Sequence, residues 1–117
     1  MRIPRHPTHI RRMLDSRVKQ MAARKPVLAA SLVSFQRRCG KPGCRCASGE
    51  KHQGHQLTYS VRGMTHTVYV PVDYTEEVRS WIDEHRRLKR LLQEMTQLAL
   101  ALVRSHAQER KRRQGRL

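Results

Sequence analysis

Aromatic side chains are scarce in this chain: one Phe, one Trp and three Tyr among 117 residues. That excludes a large aromatic core, and a chain this short has room for one domain with extensions. Thin cores of this kind are commonly reinforced by a metal, a disulfide or a second subunit. Acidic residues are few as well, nine against 25 Lys and Arg, which leaves little for a two-metal nuclease. No apolar run approaches the roughly 20 residues that span a bilayer. No apolar run with a small-residue cleavage site follows the basic start, so no secretory signal is expected. Cysteine is limited to three residues. In a reducing cytoplasm that odd number points to metal or redox chemistry before disulfides. A glycine-rich phosphate loop, a Gly-x-Ser-x-Gly elbow and paired carboxylates outside a charge-balanced helix are also missing. The expectation is a cytoplasmic, nucleoid-associated binding protein of prokaryotic style, not an enzyme and without membrane contact.

What the chain has in abundance is positive charge, +16 with a pI near 11.3. Its placement is uneven. Residues 1–25 hold eight basic side chains and one acidic, residues 26–60 five and one, and residues 104–117 six and one. Residues 76–103 balance five against five. Solubility alone gives no reason for such segregation. A polyanion does, because clustered Lys and Arg release counterions from phosphates. Solvated tails, acidic lipid and an acidic protein are the rivals, and charge placement with the high pI favours nucleic acid over them. Few aromatics weaken a single-strand stacking mode, which favours duplex DNA or structured RNA, with DNA the first expectation.

The spacing of apolar residues divides the chain in four. Residues 1–26 read as a basic arm and an amphipathic helix capped at Thr8. Ile10, Met13, Leu14, Val18, Met21 and Ala22 recur on one face, with Arg11, Arg12, Arg17 and Lys19 outward on the other. Pro26 stops that helix near Lys25. Residues 27–74 read as a metal knuckle on a small three-stranded antiparallel sheet. Val27–Arg38 alternates, Leu57, Tyr59 and Val61 share a face, and Thr65–Val70 returns after a turn at Arg62-Gly63-Met64. Residues 75–108 form a long amphipathic helix that opens at Asp73–Thr75, with Glu76 and Glu77 in its first turn. Its first half is expected on the hairpin through Val78, Trp81 and Ile82. Trp81, Leu88, Met95 and Leu102 fall seven apart, and Leu91, Leu92 and Leu98 widen the stripe into a seam of about three heptads. The second half needs a covering helix: the first helix of the same chain, a second copy in a homodimer, or a larger protein partner. Residues 109–117 read as a basic tail, disordered until it meets phosphate. The fold class is α+β.

Arg37-Arg38-Cys39-Gly40-Lys41-Pro42-Gly43-Cys44-Arg45-Cys46 places three thiols within eight residues, with two glycines and a proline to turn the chain. Structural zinc takes four tetrahedral ligands. The fourth is expected at His52, with His55 as the alternative and His66 a distant third. Lys41, Arg45 and the Arg37-Arg38 pair favour thiolates and offset the charge of a three-thiolate site. The competing possibilities are three reduced thiols or a redox pair at Cys44 and Cys46. The nucleic-acid contacts expected are Arg11, Arg12 and Arg17, then Arg37, Arg38, Lys41 and Arg45, and Arg110, Lys111, Arg112 and Arg113 in the tail.

The stretch from Leu32 to about Leu92 resembles a family of short, basic prokaryotic proteins. The likeness rests on Arg37 to Cys46, on Gly49-Glu50-Lys51-His52, on Tyr69-Val70-Pro71 and on Glu76-Glu77-Val78. The family usually continues Gly-Pro-aromatic after the histidine, whereas this chain has Gln53-Gly54-His55-Gln56, which leaves His52 and His55 both open. Members often accompany mobile elements. The resemblance implies an accessory role in transposition or recombination and brings no settled activity.

Overall fold

The computed structural model describes residues 1–37 and 52–115, with the side chains of Arg37 and His52 outside that description. The architecture is α+β: a short N-terminal helix, a three-stranded antiparallel sheet and a long C-terminal helix. The chain divides into two compact units, one of residues 1–24 with 86–117 and one of residues 25–85.

In the contiguous unit, β1 is Ser31–Arg37, β2 His52–Val61 and β3 Met64–Val70, in the order β1-β2-β3. The first strand starts at Ser31 and not at the expected Val27, while Arg38, the expected last residue, lies outside the described residues. Leu28 lies before it and instead donates its N–H to the Trp81 carbonyl oxygen at 3.1 Å. β2 begins at His52, paired with Arg37, so both candidate histidines sit on a strand and not on a loop. The hairpin turn is the two residues Arg62 and Gly63, since Val61 pairs with Met64. Both have positive φ, 52° and 78°, the condition for a type I′ turn that matches the right-handed twist of its strands.

The register sorts the sheet into two faces, because directly paired residues share a side. Leu32, Leu57 and Val68 align on one face, and His55 pairs with Val70 beside them. Val70 is buried with Val78 and Ile82, and Leu28, Leu32 and Leu57 pack against this cluster. Val78 and Ile82 are thus in the core as expected, four apart on α2, Thr75–Gly115. Trp81 is half-buried and meets Tyr74 edge to face, ring centroids 5.5 Å apart. A 3-10 turn, Val72–Tyr74, precedes α2, and the Thr75 hydroxyl donates to the Val72 carbonyl at 2.9 Å.

In the other unit, α1 is Pro7–Gln20. Its cap is His6, not Thr8: His6 Nδ1 accepts the Thr8 N–H at 3.2 Å, and Pro7 occupies the first helical position, where a missing N–H costs nothing. The helix ends at Gln20, before Pro26 can act. Arg87 on α2 closes that end, its guanidinium donating to the carbonyls of Gln20 at 2.6 Å and Ala22 at 2.9 Å. The Gln20 carbonyl is one of those a helix terminus leaves without an internal partner, and Ala22 follows the C-cap Met21. Arg17 Nε meets Glu94 at 2.8 Å. Contacts of Arg17 and Gln20 with Glu94 and Arg87 run in opposite senses along the two helices, which are therefore antiparallel. Among the described residues of this unit, Ile10, Leu91 and Leu98 are the buried apolar ones, Leu98 completely so. The covering helix for the leucine stripe is α1 of the same chain.

Two expectations about charge are corrected here. Arg17, expected on the outward face, is instead half-buried on Glu94. The residues from 109 on, expected to form a disordered tail, instead continue α2 to Gly115. A Glu109–Arg113 pair at 3.7 Å and basic residues in the last turn, which favour a helix C-terminus, accompany that extension. Among the described residues, no helix is long and apolar enough to cross a membrane.

Candidate nucleic-acid interface

Where α1 starts and α2 approaches its end, the two helices enclose a cleft of about 1060 Å³. Its wall on the α1 side is Ile3 to Pro7, Ile10 and Arg11. On the α2 side it is formed from Ala101, Leu102, Arg104, Ser105, His106, Gln108, Glu109, Arg112 and Arg113. The α2 residues recur three and four apart, so they share a helical face. That face is the leucine stripe carried onward: apolar at Leu91 and Leu98, and arginine-rich beyond Leu102. Burial of Ile10, only 2% exposed, anchors the α1 wall.

Five arginines line this cleft, Arg5, Arg11, Arg104, Arg112 and Arg113, with His6 and His106 between them. Glu109 is the one acidic lining residue, and it pairs with Arg113. Guanidinium groups present a fork of donors that matches phosphate oxygens. Several on facing walls, with one carboxylate among them, form a setting for a polyanion.

Of the residues expected to touch nucleic acid, Arg11, Arg112 and Arg113 come together here. Arg12, Arg110 and Lys111 are exposed but do not line the cleft. Arg17 is occupied by Glu94. Arg38, Lys41 and Arg45 lie outside the described residues, as does the Arg37 side chain. Arg5, Arg104, His6 and His106 were missed. Arg104 stands eight residues before Arg112, two helical turns along one face, a signal that appears only if the helix is continued through the C-terminal basic run.

Cys39, Cys44 and Cys46 lie outside the described residues, and so does the His52 side chain. Among the described residues, no group of three or more His, Cys, Asp or Glu could hold a metal. His55 is different from its neighbours. It is 8% exposed, and its Nδ1 is buried without a hydrogen-bond partner. His66 is exposed on β3 and stacks on Tyr59, centroids 5.4 Å apart. Of the leucine seam, Leu91 and Leu98 are buried, Trp81, Leu88, Met95 and Leu102 half-buried, and Leu92 exposed.

Fold and cleft together define a small, basic α+β protein in which two antiparallel helices hold a cationic recess. The chain belongs to the family described as Domain of unknown function (DUF6788), whose model matches residues 10–80. The matched stretch takes in all three cysteines and ends before the α2 wall of the cleft. No curated protein and no solved structure matches the chain.

Proposed function

We propose that this protein is a non-enzymatic nucleic-acid-binding protein, DNA being its first ligand, that grips backbone phosphates in the cleft between α1 and the end of α2. The observation that carries this is the convergence of Arg5, Arg11, Arg104, Arg112 and Arg113 on one recess from segments about 100 residues apart in sequence. The resemblance noted above adds an accessory role in a mobile-element or recombination complex. The test is fluorescence anisotropy with a labelled duplex across a salt series, on wild type and on the triple variant Arg104→Gln/Arg112→Gln/Arg113→Gln. Each phosphate neutralised contributes about −0.9 to the slope of log affinity on log salt, so the variant's slope is expected to be shallower by about 2.7. Coincident slopes would remove the cleft from the interface. Absence of binding at low salt would remove the nucleic-acid function.

The same proposal includes one structural zinc ion held by Cys39, Cys44, Cys46 and either His52 or His55. The orphaned Nδ1 of His55 supports a histidine ligand there, since a buried nitrogen without a partner is costly and coordination would satisfy it. Elemental analysis is expected to give one zinc per chain in wild type and none in Cys44→Ser. Unchanged metal content in that variant would exclude the site. Loss of zinc in His55→Ala but not in His52→Ala would choose between the histidines.

A second reading makes α2 a docking helix for a larger enzyme such as a transposase or recombinase, or for a second copy. It is favoured by Leu92, Leu100 and Val103, which remain 53%, 46% and 65% exposed. Sedimentation of the isolated protein discriminates. A stable dimer covers the strip with a second copy, and a clean monomer leaves it for another protein.

A further inference from the structure

The turn that joins β2 and β3 is built against the preferences of its own backbone. Arg62 stands at φ 52°, in the left-handed region that Asn, Asp and Gly enter with less strain than other residues. Nothing among the described residues offsets that strain: Arg62 is exposed and makes no hydrogen bond or ion pair with them. Backbone strain without a structural return is characteristic of positions held for function.

The strained turn caps an arm. Ser31, the first residue of β1, pairs with Thr58, so beyond Thr58 the hairpin continues as two strands, residues 59–61 against residues 64–66. Three strand residues carry the turn about 10 Å past the third strand. Every residue from Ser60 to Tyr69 is exposed, so both faces of β3 are bare over that length. Tyr59 stacks on His66 at the base of the arm. Val61 and Met64, paired across the strands at the tip, are 49% and 65% exposed. No carboxylate lies between Glu50 and Asp73 in the sequence, and Arg62 is the arm's single Lys or Arg. The tip therefore presents one guanidinium, an apolar pair beside it, and nothing that repels a polyanion.

We infer that this hairpin is a DNA-reading ribbon whose tip enters the major groove, Arg62 donating to the O6 and N7 acceptors of a guanine while Val61 and Met64 meet a neighbouring thymine methyl. This role rests on the proposed nucleic-acid binding and adds the sequence information that phosphate contacts lack. The major groove of B-form DNA, about 12 Å wide, admits a two-stranded ribbon, and an arginine fork on guanine is the commonest base-specific contact. The major groove of duplex RNA is too deep and narrow for side chains to read, which selects DNA. An acidic protein surface would be gripped by several cations, and the arm has one. A second copy meeting this one tip to tip would set Arg62 against Arg62.

The test selects bound sequences from a randomised duplex DNA library, with the full chain as wild type and as Arg62→Asn. Asparagine relieves the left-handed strain, so the variant keeps the fold, and thermal unfolding checks that it does. Wild type is expected to enrich a site containing a guanine, and Arg62→Asn to lose the preference at that base pair. The variant's ratio of affinities for the selected and an unselected duplex should fall by about 5- to 150-fold. Replacing that guanine by 7-deazaguanine, which removes the N7 acceptor and leaves the pairing edge intact, should lower the wild-type ratio and leave the variant's unchanged. The same site enriched by Arg62→Asn, or equal loss on both duplexes, overturns the inference while leaving nucleic-acid binding intact, and so does enrichment of no sequence by wild type. Failure of wild type to bind any duplex at low salt overturns both proposals. Conversion of a dimer to a monomer by Arg62→Asn, read by sedimentation, reassigns the tip to self-association.

Discussion

Replacement of Arg62 by Asn should stabilise this protein, although it removes no clash and adds no contact. The residue sits in a two-residue turn with φ 52°, where L side chains other than Asn and Asp are uncommon. Left-handed backbone costs such a residue about 1–2 kcal/mol, and Asn recovers part of this by local hydrogen bonding, a gain of about 1 kcal/mol. Gly63 provides the opposite experiment. Its φ is 78°, and a Cβ built there meets nothing within 4 Å. Any loss in Gly63→Ala is therefore backbone strain and not crowding. Alanine also narrows the unfolded ensemble, which offsets the strain by about 0.4–1 kcal/mol, so the net cost should be about 1 kcal/mol. For a chain of this size each is a shift of about 4 °C in midpoint, upward for Asn and downward for Ala, measured by thermal unfolding followed at a β-sheet wavelength. Arg62→Gln is the control, since it removes the charge and keeps the strain. Equal gains for Gln and Asn would mean that charge repulsion, not φ, governs the turn. An unchanged midpoint in Gly63→Ala would refute the backbone argument altogether.

Two further outcomes follow from the helical unit. Leu98→Ala should cost about 3–5 kcal/mol, because Leu98 is wholly inaccessible and truncation leaves a cavity beside α1; chemical denaturation reads this directly, and a loss below about 1 kcal/mol would mean that the helices close over the gap. Removing Glu94 with Glu94→Gln should destabilise the protein by about 1–2 kcal/mol by stranding the partly buried Arg17, while Arg17→Met/Glu94→Leu should recover most of the loss. A double variant as unstable as the single one would show that the pair is not what joins these helices.

The periodicities that were long were legible. Val78 and Ile82 are found in the core and Leu91 and Leu98 are buried because a helical stripe of that length has few other uses. The Arg62-Gly63 turn was legible because glycine between two alternating runs leaves few geometries. The misread features depend on partners distant in sequence. Arg17 differs from Arg12 only in lying opposite Glu94, 77 residues away, and no local pattern carries that information. The cap fell to His6 because Pro7 is better suited to the first helical position than to a flexible arm. The basic C-terminal run reads as a solvated tail because mutual repulsion disfavours order in isolation, yet its helix is continuous with one already nucleated. The cleft went unseen for the same reason: it exists only once α1 and the last turns of α2 are side by side.

That juxtaposition has a consequence for how the molecule is made. The residues of α1 emerge from the ribosome first, yet Arg87, which closes the end of this helix, follows Gln20 by 67 positions, and Leu98 is later still. At the usual pace of synthesis the gap lasts on the order of several seconds. A 14-residue helix is marginal by itself in water, so for that interval Ile10 stays wet and the segment stays accessible. Residues 25–85 form a contiguous unit and can begin to fold meanwhile. A nascent chain stalled anywhere before the Leu98 codon would thus expose an unpaired, arginine-bearing amphipathic segment. Release of the last turns of α2 is the event that hides its apolar side and assembles its arginines into a recess.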